Sequence, residues 1–223
     1  MLMKLDPKRD LFERSEMAEI WGFLEKRANI ESPLSKWVQY RALVGVLSRV
    51  GCRATECCNL KVGDVELSRS PGYLRVVRLK KKNHTVDCVE IDTTLARWLS
   101  EWVEVRSAGP DEILFHKVKS GKQWNHIELQ QAWERLLRHI GVEYKRLHAL
   151  RHTHLTDFYQ VTKDLALTQR RAGHSDPRTT MVYVDSRLED RAQAIEAFRL
   201  SYEPEPEPSH KGNIVDFPVK RSA

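Results

Sequence analysis

Residues 147–185 read LHALRHTHLTDFYQVTKDLALTQRRAGHSDPRTTMVYVD. The stretch opens with His148-x-x-Arg151, reaches another histidine at Gly173-His174, and closes on Tyr183. It offers a fixed cation, two imidazoles and a phenol that becomes a nucleophile once deprotonated. Such a set suits attack on a phosphodiester without a metal. A guanidinium stays charged and grips phosphate oxygens in a fork. A free phenol has a pKa of about 10, so Tyr183 needs a nearby acceptor or positive field. Taken singly these signals are common. H-x-x-R occurs in many helices, and a lone tyrosine is ordinarily half-buried structure.

Upstream, residues 51–64 read GCRATECCNLKVGD. Arg53 follows a glycine turn, and Glu56 three residues on shares its helical face. An exposed ion pair of that kind is worth little. Farther along, the pattern changes to strands over 65–67, 73–79 and 86–91, with a Pro71-Gly72 turn and a basic tip, Lys80-Lys81-Lys82-Asn83-His84.

In order and spacing, these elements resemble the tyrosine recombinases, or phage integrases. The run G-x-R-x-x-E-x-x-x-L followed by Asp64 is similar to the family's first box. His148-x-x-Arg151, Gly173-His174, the Asp176-Pro-x-Thr179-Thr180 run and Tyr183 are similar to its second. Agreement of five elements over residues 51–183 is improbable by chance.

The resemblance implies a mainly helical α+β catalytic domain with a small antiparallel β-sheet. It also implies roles. Arg53 and Arg151 would hold phosphoryl oxygens, each worth about 3 kcal/mol or more of barrier by analogy with an oxyanion-hole donor. Glu56 would be the buried partner orienting Arg53. His148 would accept a proton or bind an oxygen, and His174 would hydrogen-bond one. Tyr183 would form a 3′-phosphotyrosyl bond, and a hairpin lysine would protonate the departing 5′ oxygen. Counting seven back from Val89 selects Lys82, with Lys81 the alternative because hairpin register can slip. The implied function is a site-specific recombinase working through a Holliday junction. The implied partners are double-stranded DNA, sister copies (a dimer per site, a tetramer on two sites) and accessory DNA-bending proteins. No cofactor, metal or ATP is called for, and the setting would be cytoplasmic, on the nucleoid.

Other readings compete. A non-catalytic DNA-binding regulator would have no need of Tyr183 or Lys82. A topoisomerase-like enzyme would nick and reseal without exchanging partners. A hydrolytic nuclease is disfavoured by the lack of clustered carboxylates for metals. Zinc at His148, His152 and His154 is disfavoured because only the first pair shares a helical face. His152 is read instead as support for Arg151 or packing. Tyr159 follows no Gly-His and is set aside as nucleophile.

The chain has 223 residues and a formal charge of +6. The acidic excess after Leu200 (Glu203, Glu205, Glu207 and Asp216 against Lys211, Lys220 and Arg221) leaves the body basic. A polyanionic partner fits, although composition alone fits a plain basic protein equally well. Cys52, Cys57, Cys58 and Cys88 lack framework spacing and read as reduced, buried residues. No leader and no apolar stretch near the roughly 18 residues of a membrane span is visible.

Residues 1–14 are expected to be a loose lead-in, 15–200 the catalytic domain, and 201–223, with YEPEPEPS, a low-complexity tail. Helices are expected from Ser15 (Met17, Ile20, Trp21 and Leu24 inward), over 35–50, 95–107, from Asn125 to Gly141, from His148, over 163–172, from Asp176-Pro177 and over 188–200. The helix at 188–200 is a candidate for packing on a sister copy. The helical domain that normally precedes this one in the family has no room before Arg53, which suggests a fragment or a short recombinase. Thr162 stands where a turn glycine is common. Gln169-Arg170-Arg171 replaces an apolar run and is expected to face DNA or a partner.

Overall fold

The computed structural model describes residues 6–30, 36–78, 85–174 and 176–183. A short helix α1 (Pro7–Asp10) leads into α2 (Arg14–Ile30) and α3 (Lys36–Gly45), which continues into a π-turn over Val46–Val50. Helix α4 (Ala54–Cys58) follows, then strands β1 (Val65–Glu66), β2 (Gly72–Arg78) and β3 (Thr85–Ile91). Four more helices complete the described chain: α5 (Thr93–Arg106), α6 (His126–Ile140), α7 (Leu147–Thr162) and α8 (Leu165–Ala172). Two 3₁₀ turns, Pro177–Thr179 and Met181–Tyr183, carry the last described residues.

The helix boundaries follow from capping chemistry. Asn125 accepts from the N–H groups of Ile127 and Glu128, while Glu128 reaches back to the Asn125 N–H at 3.2 Å. That reciprocal pair satisfies donors orphaned at the start of α6. Gly141, at φ 90°, ends the helix in the left-handed region. Between these caps Leu129, Trp133, Leu136 and Leu137 form a stripe buried against the rest of the core, each worth about 1.5–3 kcal/mol of burial.

Three buried tryptophans find partners for their N–H groups, which offset the cost of burying an indole donor. Trp98 donates to Glu25 at 2.9 Å, Trp102 to the Leu114 carbonyl at 2.9 Å and Trp133 to the Lys145 carbonyl at 2.8 Å. Arg41 is buried too, paired with Glu25 and Glu101. That cluster lies within the packing of α2, α3 and α5 and is structural.

The sheet is antiparallel in the order β1-β2-β3, with Leu74 opposite Val89, Val76 opposite Asp87 and Arg78 opposite Thr85. Alternation puts Leu74, Val76 and Arg78 on the buried face of β2.

Three expectations need correction. Residues 11 and 12 do not belong to a loose lead-in: Leu11 and Phe12 are buried, and the Phe12 N–H donates to Thr153 Oγ1 on α7 at 2.8 Å. Cys88 is exposed, whereas Cys52, Cys57 and Cys58 are buried, because position 88 falls on the outward face of β3. The arginine run at the end of α8 is divided. Arg170 is exposed, but Arg171 turns inward to His154 Nε2 at 3.2 Å and to the carbonyls of Glu90 and Arg49. Expectations for 188–200 and 201–223 lie outside the described residues.

Candidate active site

The first wall of the site is built where α3 gives way to α4. The π-turn at 46–50 inserts a residue into the helical ladder, a device common at functional sites. Gly51 then takes φ 70°, which a side chain would resist. Its carbonyl is turned to accept from Arg151 Nη1. Two residues on, Arg53 stands at the N-terminus of α4, and Glu56 reaches back to it twice. Glu56 Oε2 takes the Arg53 backbone N–H at 2.8 Å, and Oε1 takes Nη1 at 2.7 Å. Arg78 Nη1 donates to the same carboxylate at 3.2 Å. Glu56 is wholly enclosed, a position a carboxylate holds only when paired on all sides.

Helix α7 supplies the second wall. Arg151, 2% exposed, lies on its buried face. Besides Gly51, it donates through Nη2 to the Ala172 carbonyl at 2.7 Å and to His174 Nε2 at 3.1 Å. A guanidinium only donates. His174 Nε2 is therefore the acceptor, and the ring proton sits on Nδ1, facing Thr180 Oγ1 at 3.0 Å. Gly173, at φ 63°, makes the turn that brings His174 to this position.

The 3₁₀ turns return Tyr183 to the same place. Asp176 starts them by accepting from the Arg178 N–H, with Pro177 preset for the first turn. Tyr183 is buried, packed with Leu11, Leu155 and Ala172, and its ring lies nearly parallel to His174 at 6.3 Å. Its hydroxyl lies 3.3 Å from His152 Nδ1. His148 meets His152 edge to face, ring centres 4.4 Å apart. His148 is exposed and Arg53 partly so, and they mark the side open to an incoming phosphate.

The field inside is strongly positive. Burial, with Arg53 close by, pushes Arg151 down to about 10. Burial and the guanidinium groups of Arg151, Arg53 and Arg78 hold His174 at about 3. Burial and Arg151 hold His152 at about 4, so it is a neutral acceptor at pH 7. The Tyr183 phenol is raised by burial, although Arg151 and Arg53 pull the other way. A phosphodiester entering here would bring the negative charge that this cluster lacks.

The structure thus gathers Arg53, Glu56, Arg151, His174 and Tyr183 into one site, with His148 at its rim. Lys82 and Lys81 lie outside the described residues, between the paired residues Arg78 and Thr85. Two participants escaped the sequence reading. His152, taken for support or packing, is the imidazole next to the phenol. Arg78 was passed over, although strand alternation puts it in register with Leu74 and Val76, and a buried arginine must have partners. His148, His152 and His154 do not converge: His154 turns away to Arg171. Among the described residues, no three His, Cys, Asp or Glu side chains are placed to hold a metal ion.

A sequence model described as the Phage integrase family matches residues 12–189. The chain belongs to that family. Among curated members of the phage integrase family, it is 28% identical to the tyrosine recombinase XerC of Corynebacterium efficiens, over 72% of this chain and 50% of that protein. It is 27% identical to the tyrosine recombinase XerH of Campylobacter jejuni, over 74% of this chain and 46% of that protein. The chain therefore spans about half the length of these relatives. The fold is shared with solved structures of the family. A XerH recombinase in a post-cleavage complex with its difH substrate superposes with a TM-score of 0.67 at 23% identity, covering 85% of this chain and 53% of that one. XerA recombinase gives 0.69 at 22% identity, covering 85% and 65%.

Proposed function

We propose that this chain cuts and rejoins DNA strands as a site-specific tyrosine recombinase. The observation that carries the reading is the position of the Tyr183 hydroxyl, 3.3 Å from the neutral His152 Nδ1 and beside the Arg151 guanidinium. A nucleophile, a proton acceptor and an anion clamp thus share one pocket.

In the proposed step, Tyr183 Oη attacks the scissile phosphorus as its proton passes to His152 Nδ1. Arg53 and Arg151 hold the non-bridging oxygens, and the added negative charge favours uptake of a proton from solvent by His174, whose imidazolium can then donate to one of them. The P–O5′ bond breaks, and the 5′ oxygen leaves with a proton from Lys82. A 3′-phosphotyrosyl bond and a free 5′-hydroxyl remain. Attack by a 5′-hydroxyl from a partner duplex reverses the step, so bond energy is conserved and neither metal nor nucleotide is consumed. Exchange of strands in this way passes through a Holliday junction. It calls for a dimer on each site and a tetramer on two, with DNA-bending proteins as possible accessories. Among the described residues, no helix is long and apolar enough to cross a membrane.

Covalent trapping tests the reading. Wild type and Tyr183→Phe are incubated in EDTA with nicked suicide duplexes tiled from DNA flanking the gene, then denatured and resolved. An adduct with wild type alone is expected. DNA binding in native gels with no adduct from either protein would favour a non-catalytic regulator.

A further inference from the structure

The end of helix α8 is gripped from two sides. Its last carbonyls lack helical partners and carry the negative end of the helix dipole. Arg151 takes the Ala172 carbonyl at 2.7 Å, and Arg78 takes the preceding one, Arg171, through Nη2 at 3.2 Å. Between these anchors and His174 stands Gly173, pressed against the Arg78 guanidinium. A Cβ there would lie 2.5 Å from Arg78 Nε and 2.9 Å from Cζ. The path from α8 to His174 is thus shaped by the face of Arg78.

The same guanidinium reaches two further segments. Nη1 donates to Glu56 Oε2 at 3.2 Å, and Nε to Asp87 Oδ2 on β3 at 2.8 Å. Glu56 in turn orients Arg53. Arg78 is also the last residue of β2, paired with Thr85 at the start of β3. It is 1% exposed, and Glu56 and Asp87 neutralise it, so it has no free face for DNA.

We propose that Arg78 is a positioning residue for strand cleavage, fixing Arg53 through Glu56 and His174 through the α8 end. The assignment rests on the recombinase reading above. Three fork donors with three differently directed acceptors are needed, which lysine cannot supply.

The test uses the full chain and the tiled nicked duplexes, with single-turnover adduct formation and duplex affinity measured separately. Arg78→Met is expected to slow adduct formation by about tenfold or more, the scale on which supporting partners of ligating groups act. Affinity should stay within about twofold, because Arg78 touches no DNA. Combined with Glu56→Gln, it should add less than its own single effect, because part of its action passes through that carboxylate. Arg78→Lys should recover only part of the rate. A rate within about twofold of wild type, or equal losses of rate and affinity that multiply with Glu56→Gln, would overturn the assignment. Where Arg78→Met does not fold, Asp87→Asn decides. It frees one anchor of the guanidinium at a partly exposed site, so slower cleavage supports the proposal and an unchanged rate refutes it. If wild type forms no adduct on any duplex, the cleavage reading itself fails and takes this assignment with it.

Discussion

Gly51 sits directly against the His154 ring: a Cβ on Gly51 would lie 2.5 Å from His154 Cδ2. This contact closes the back of the site, since the Gly51 carbonyl holds Arg151 and His154 holds Arg171 at 3.2 Å. Gly51→Ala meets two penalties, the clash and a φ of 70°. A loss of about 2–4 kcal/mol is expected in urea unfolding, summing overpacking and left-handed strain. Adding His154→Ala should recover the part due to the clash and leave the part due to strain. Full recovery would show that the backbone relaxes freely.

Tyr183→Phe removes one hydroxyl and no charge. Adduct formation should disappear while duplex affinity remains within about twofold, because phosphate contacts set that affinity. Nicking at the wild-type rate by this variant would end the nucleophile assignment.

His152 is expected to accept the phenol proton. His152→Ala should lower single-turnover cleavage by about 10²-fold or more, the usual scale for a positioned base. Binding should be little changed. A larger effect from His148→Ala, with His152→Ala near wild type, would transfer the role to the exposed histidine.

Lys82→Ala should slow cleavage of ordinary DNA and regain most of its rate on a duplex with sulfur at the scissile 5′ bridging position. A thiolate leaves without a proton, so the acid becomes dispensable. Failure of rescue, with rescue of Lys81→Ala instead, would move the acid by one residue.

The buried histidines make stability depend on pH. Burial, assisted by neighbouring arginines, holds His152 at about 4 and His154 and His174 at about 3. Unfolded histidines titrate near about 6.5. Below that pH the unfolded chain gains protons that the native one refuses. The contribution of the three rings is therefore fully present above about 6.5 and is lost progressively toward about 4 for His152 and about 3 for His154 and His174, at up to about 1.4 kcal/mol per pH unit per ring. The urea midpoint should fall between pH 6.5 and 5. His154→Phe should flatten that slope relative to wild type, and parallel slopes would contradict the burial of that ring's titration.

What the sequence disclosed was local. Arg53 and Glu56 are three apart at the start of one helix, and the glycine-histidine turn and capped 3₁₀ turns lie within a short run. Their spacing places them near one another, and the resemblance to the tyrosine recombinases singles them out. The antiparallel strands and Asn125–Gly141 helix were equally plain, because caps and alternation are written in neighbouring residues. The place of His152 beside the Tyr183 hydroxyl was not legible, because it depends on how the chain returns through two tight turns. Alternation put Arg78 on the buried face of β2, but its partners on α4, β3 and α8 could not be read from that pattern. Arg171 carried a surface-like context yet found a buried acceptor in His154, a pairing no periodicity announces. Leu11 and Phe12 were lost in a polar lead-in, because Phe12 packs on Trp133 of α6 and Leu11 clusters with Leu155, Ala172 and Tyr183, all distant in sequence.

The Arg151 guanidinium joins the Gly51 carbonyl to the Ala172 carbonyl. Those groups are far apart along the chain, so nothing cleft-like exists until both halves have docked. A polypeptide still emerging from the ribosome holds Arg53 and Glu56 long before it holds Tyr183. The proposed cleavage centre therefore needs both halves of the chain folded together, and a copy that ends before Tyr183 would lack its nucleophile.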